Sequence, residues 1–162
     1  MDSGSFPEKC GIFIDGGYLT SKLRDREGPR LDLLKLSNKI SEKINCNRLR
    51  TYYYDCLPIR IPSDLKSQQL YNKKKRYCEK IGLLPQFEIC YGELQFIQGI
   101  YKQKKIDVLM SLDIVDKCFE NQISHAVVVA GDSDFIPAIK KAKNYGAIVH
   151  LLAQKKSINK SI

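Results

Sequence analysis

Two carboxylates and a hydroxyl are packed into one short segment, Gly131-Asp132-Ser133-Asp134-Phe135, directly after the apolar run His125 to Ala130. A second acid, Asp15, closes another apolar run, Cys10-Gly11-Ile12-Phe13-Ile14, and is followed by Gly16-Gly17. If both runs are neighbouring strands of a parallel sheet, their acids meet at one end of it, where open α/β sheets bind ligands. Gathering unpaired carboxylates is costly, because each raises its neighbours' proton affinity. A divalent cation removes that cost, and Mg²⁺ and Mn²⁺ are the ions that favour oxygen donors. The chemistry that this pattern suits is metal-assisted hydrolysis of a phosphate ester.

Two more acids lie in the segment 106–119. Asp107 follows Lys102, Lys104 and Lys105 at the expected start of a helix, and Asp113 sits among Leu109, Met110, Leu112, Ile114 and Val115. A 3.6-residue period separates the two by about 120° around the axis. They share one target only if Asp107 precedes the first turn. A structural alternative applies to several of these groups: Asp107, Asp132 and Ser133 are all suited to capping a helix N-terminus. Asp116 and Glu120 are expected to be solvated surface charge.

The elements that must position these residues alternate between strand and helix. Apolar runs at 10–14, 125–130 and 147–152 predict buried strands, and the aromatic stretch Arg50 to Cys56 predicts another. A further strand is expected within 86–91, with a hairpin turning at Gly92. Helical spacing covers 31–44, 63–81, 106–119 and 133–145, with Gly82 and Gly146 as stops. The expectation is one α/β domain over residues 1–162, with a mostly parallel sheet between two helical layers. Its core spans about 8–153, and the polar tail 154–162 is expected to fray.

Composition narrows the function classes. The chain has 162 residues and a formal charge of +9, an excess that favours a polyanionic partner. Lys73-Lys74-Lys75-Arg76, flanked by Tyr71 and Tyr77, mixes charge with aromatic faces in a way suited to single-stranded nucleic acid. The alternative is a solvated helix face. Ser133 and the amides after it are candidates to hold phosphate. Tyr52, Tyr53 and Tyr54 alternate within a strand and are expected to pack rather than stack on bases.

The six cysteines form no CxxC pair, and His125 and His150 have no ligand spacing, so neither a zinc site nor a disulfide framework is expected. There is no GxGxxG after the first strand, no Walker loop and no GxSxG elbow. No stretch approaches the roughly 18 apolar residues that span a bilayer, and the first residues lack a secretory pattern. A soluble cytoplasmic protein is expected, with no membrane partner.

Three segments, in order, resemble the NYN domain family, in particular its LabA-like branch, relatives of the PIN-domain nucleases. They are Phe13-Ile14-Asp15-Gly16-Gly17-Tyr18-Leu19, Lys105-Ile106-Asp107-Val108-Leu109-Met110-Ser111-Leu112-Asp113, and Val128-Val129-Ala130-Gly131-Asp132-Ser133-Asp134-Phe135-Ile136-Pro137. Tyr18 stands where the family often has asparagine, and Ile106 replaces a usual glycine. Neither change removes a carboxylate. The resemblance implies a PIN-like three-layer α/β/α fold and a Mg²⁺- or Mn²⁺-dependent ribonuclease, with RNA favoured over DNA. It implies Asp15, Asp107, Asp113, Asp132 and Asp134 as metal and catalytic residues, and it is compatible with a homodimer. The alternative is a non-catalytic RNA-binding or protein-interaction module on the same fold.

Overall fold

The computed structural model describes residues 8–24, 31–97, 100–104 and 106–153, with the backbone alone over 94–97 and 100–104. In chain order the elements are β1 (Lys9–Asp15), α1 (Gly16–Arg24), α2 (Leu33–Lys43), β2 (Asn47–Asp55), α3 (Leu65–Gly82), β3 (Phe87–Tyr91), β4 (Glu93–Ile97), β5 (Ile100–Lys104), α4 (Ile106–Phe119), β6 (His125–Val129), α5 (Ile136–Asn144) and β7 (Ile148–Leu152). A single 3₁₀ turn, Ser133–Phe135, leads into α5.

Five strands form one sheet in the order β3-β2-β1-β6-β7, and every pairing in it is parallel. The middle strands β1 and β6 are buried on both faces, which explains why they appear in the sequence as unbroken apolar runs rather than alternating ones. One face packs Phe13, Tyr52, Tyr54, Ala126 and Val128 against Ile106, Met110 and Ile114 of α4 and Ala142 of α5. The other face packs Ile12, Ile14, Tyr53 and Val127 against Leu33 and Ile40 of α2 and Ile81 of α3. The result is the expected three-layer α/β/α arrangement with a parallel sheet. The alternation predicted for the three tyrosines also holds, with Tyr52 and Tyr54 on one face and Tyr53 on the other.

Three sequence expectations change. The segment 16–24 forms a helix that its paired glycines conceal. Gly16 is a glycine because a β-carbon there would stand 2.6 Å from the ring of the buried Tyr53. The hairpin is the antiparallel pair β4–β5, so its turn lies between Ile97 and Ile100 rather than at Gly92. The helix expected over 133–145 is a 3₁₀ turn followed by α5, with Pro137 in the first turn of α5. Gly82 is itself the last residue of α3, and the cap falls on Leu83.

Among the described residues no helix is long and apolar enough to cross a membrane. The tail 154–162 and Lys105 lie outside the described residues.

Candidate metal centre at the carboxyl end of the sheet

Strand order reverses between β1 and β6, since the chain moves outward from β1 to β2 and β3 and later returns to the other side of β1. The crevice beyond the carboxyl ends of those two strands is therefore the topological switch point, the usual ligand position in such sheets. Asp15 ends β1, and Asp132 stands three residues beyond the end of β6.

Both acids are fixed by local backbone. Asp15 Oδ1 accepts a 2.9 Å hydrogen bond from the Tyr18 amide, which makes Asp15 the N-cap of α1. Asp132 Oδ1 accepts from the Asp134 amide at 3.1 Å and caps the 3₁₀ turn. The capping role and a ligand role are thus compatible, because each cap uses one oxygen of the pair. Tyr18 joins the two strand ends. Its amide holds Asp15, and its ring lies so close to the Gly131 backbone that a β-carbon on Gly131 would stand 2.3 Å from Cε2. The residue that departs from the family's asparagine therefore still supplies a polar contact to the first-strand acid, through its main chain.

The electrostatics tie four acids together. Burial raises the Asp15 pKa, and the charges of Asp55 and Asp132 add to that, against the lowering effect of the Tyr18 and Gly17 amides. Asp107 is raised first by burial and then by Asp15, Asp132 and Asp134. Asp15, Asp107, Asp132 and Asp134 therefore belong to one mutually repelling group. Asp107 reaches it from the first turn of α4, as the sequence geometry requires.

Asp113 is placed elsewhere. Its Oδ2 accepts a 2.7 Å hydrogen bond from the hydroxyl of the fully buried Tyr54. It is not among the charges that perturb Asp15 or Asp107. The 120° rotation from Asp107 wins, and Asp113 satisfies a buried phenol whose own pKa burial pushes far up.

Asp55, at the end of β2, is a site residue that the sequence reading did not single out. It is only 3% exposed, its Oδ1 accepts from the Cys56 amide at 2.8 Å, and it perturbs Asp15. Lys74 Nζ lies 2.5 Å from Asp55 Oδ2, at an angle too oblique for a hydrogen bond. The signal was available: Asp55 is an acid at the end of a strand, like Asp15. Lys74 in turn leaves the exposed basic stripe. Lys73, Lys75 and Arg76 stay exposed; Lys75 faces Glu79 at 3.9 Å, and Lys73 lines a shallow depression with Lys66, Gln69 and Leu70. Ser133 is half-buried at the start of the 3₁₀ turn. The side chains of Lys102 and Lys104 lie outside the described residues.

The opposite end of the sheet overturns one expectation. Although neither histidine has ligand spacing in sequence, ligand atoms of Glu8, Cys46 and His125 all lie within 4.8 Å of one another. Cys46 and His125 are 38 and 117 residues from Glu8, so no local motif marks the group. All six cysteines are free, and four of them are buried.

A parallel three-layer α/β fold with acids gathered at its switch point defines a nuclease-like class of domain. The NYN domain model matches residues 9–162, and the chain belongs to the NYN domain family. Divalent-metal use is what such a domain suggests. The uncharacterized protein y4oD of Sinorhizobium fredii is 39% identical over 59 residues, a match spanning 36% of this chain and 28% of that relative. The crystal structure of VPA0982, a protein of unknown function from Vibrio parahaemolyticus, superposes with a TM-score of 0.65 at 18% identity. The match covers 98% of this chain and 88% of that one, and it bears on the fold alone.

Proposed function

We propose that this chain is a metal-dependent ribonuclease acting at the carboxyl end of its sheet, as the LabA-like motifs imply. The observation that carries this reading is the convergence of Asp15, Asp107, Asp132 and Asp134 on one switch-point crevice, with Asp15 and Asp107 held above the ordinary carboxylate range. Their donor set is oxygen only, which fits Mg²⁺ or Mn²⁺. Among the described residues no three of these acids bring oxygens within 4.8 Å of one another. That spacing suits an ion that keeps several waters and takes few carboxylates.

Asp15 and Asp132 would hold the cation, with Asp134 beside them. A bound cation supplies charge neutralisation at the phosphoryl oxygens and a more acidic water. The remaining steps belong to the chain. Asp107, whose raised proton affinity brings it nearer to neutral pH than its neighbours, takes the proton of the attacking water at its carboxylate. The N-terminal turns of α1 and of the 133–135 segment present amides toward the same crevice, where they favour a phosphate. Lys74 neutralises Asp55, which limits the negative charge that an approaching polyanion meets. Exposed Lys66, Lys73, Lys75 and Arg76 on the same helix give the backbone of a single strand a cationic approach.

The test is cleavage of generic single-stranded RNA and DNA by the full chain with Mn²⁺ or Mg²⁺. RNA cleavage should stop in excess EDTA and fall by roughly two orders of magnitude or more in Asp15→Asn and Asp132→Asn. Equal cleavage in EDTA would overturn the metal mechanism. Salt-dependent RNA binding without turnover under either metal would favour the non-catalytic module instead.

A further inference from the structure

The geometry points to a zinc site at the amino end of the sheet, formed by Glu8, Cys46 and His125 and braced by His150. The donors come from three strand starts: Glu8 precedes β1, Cys46 precedes β2, and His125 opens β6. His125 Nε2 lies 2.6 Å from Glu8 Oε2, and Cys46 Sγ lies 4.0 Å from the same oxygen. With zinc–ligand bonds of about 2.0–2.3 Å, donor atoms around a tetrahedral ion stand about 3.3–3.6 Å apart. The two separations bracket that value. Glu8, with its side chain 62% exposed, is free to retreat by the few tenths of an ångström that the ion requires, while buried His125 stays fixed.

The rest of the environment suits a cation of this kind. One carboxylate, one thiol and one imidazole form a mixed oxygen, sulfur and nitrogen set, which selects a borderline-soft metal over Mg²⁺. His125 Nδ1 faces His150 Nε2 at 2.8 Å, with the two rings stacked 5.1 Å apart. A ligating histidine whose second nitrogen is held in this way is the usual supporting arrangement around zinc. Cys46 also follows the C-terminus of α2, and its sulfur lies 3.4 Å from the Ile44 carbonyl, where the helix dipole favours positive charge.

Binding balances as follows. The Cys46 thiol loses its proton to solvent as sulfur joins the metal, and the Glu8 carboxylate joins without proton change. His125 coordinates through Nε2 as a neutral ring, its proton on Nδ1 and directed at His150 Nε2. Two anionic ligands cancel the charge of the ion, and the fourth position is left to water. The ion would tie together the starts of β1, β2 and β6.

Zn²⁺ alone, titrated calorimetrically into the full chain in excess Mg²⁺, should bind once per chain and release about one proton. Co²⁺ in its place should show a thiolate-to-cobalt charge-transfer band. Cys46→Ser should abolish that band and leave Mn²⁺-dependent RNA cleavage unchanged, which separates this site from the acidic one. His150→Phe should weaken zinc by roughly 10-fold or more. Asp15→Asn/Asp132→Asn should retain the band at full strength. A cobalt complex with no thiolate band, zinc stoichiometry unaltered by Cys46→Ser, or no zinc binding to the folded wild-type chain would each overturn the proposal.

Discussion

The two ends of the central sheet gather ionisable groups in opposite ways. At the carboxyl end Asp15, Asp107, Asp132 and Asp134 are all oxygen donors and repel one another, and two of them are held above their ordinary pKa. At the amino end Glu8, His125 and His150 form a continuous hydrogen-bonded chain with Cys46 beside it. The helix termini reinforce the contrast. Amide-rich N-terminal turns border the acids, whereas the C-terminus of α2 leads into Cys46. The difference teaches that a parallel sheet separates two kinds of cation chemistry. The end with helix N-termini can accept a cation together with its phosphate, and the end with helix C-termini suits a bare, softer ion.

Several substitutions would break or sharpen that contrast. The largest effect on stability should come from Gly16→Ala, which drives a β-carbon into the buried Tyr53 ring at the root of the acidic crevice. A loss of about 2 kcal/mol in denaturant unfolding is expected. An unchanged midpoint would show that the ring has room to move.

Tyr54→Phe should come next. It leaves the Asp113 carboxylate without its phenol donor and should cost about 1.5 kcal/mol. RNA cleavage measured where the variant is folded should not change. A hundredfold drop would place Asp113 in the reaction after all.

Asp107→Asn should act in the other direction on stability. Between the ordinary carboxylate value of 3.8 and its raised value, folded Asp107 holds a proton that the unfolded chain has lost. Stability from this group therefore falls as pH rises through that window, and the deficit persists above it. Asparagine removes the deficit, and because Asp107 is solvent-screened the metal-free Tm should rise by only about 1–2 °C near neutral pH. Cleavage should fall in the same variant. A lower Tm would show that the acids do not repel as described.

The smallest effect should follow Lys73→Ala/Lys75→Ala. Single-stranded RNA binding should weaken modestly, with the log–log salt slope reduced by about 1.4 if both lysines meet phosphate. An unchanged slope would leave α3 a solvated surface.

Much of the carboxyl end was legible in the sequence because strand-end acids follow apolar runs that only buried parallel strands produce. β1, β6 and α4 fall close to where periodicity puts them, and the adjacency of β1 and β6 follows from both being buried on two faces. α1 was not legible, since Gly16-Gly17 signals a break unless the Tyr53 ring packed against it is known. Lys74 sits in an uninterrupted basic run, and only its partner Asp55 distinguishes it from Lys73 and Lys75. The amino-end cluster was hidden for a different reason. Its donors are supplied one by one from distant strand starts, so a search for closely spaced ligands has nothing to find.

The central claim is that the carboxyl-end acids hold a hard cation, and a crystal structure of the chain soaked in Mn²⁺ tests it most directly. Anomalous density should appear in the crevice between Asp15 and Asp132, with Asp107 bordering it. Manganese bound only elsewhere, or none in that crevice at saturating concentration, would contradict the account.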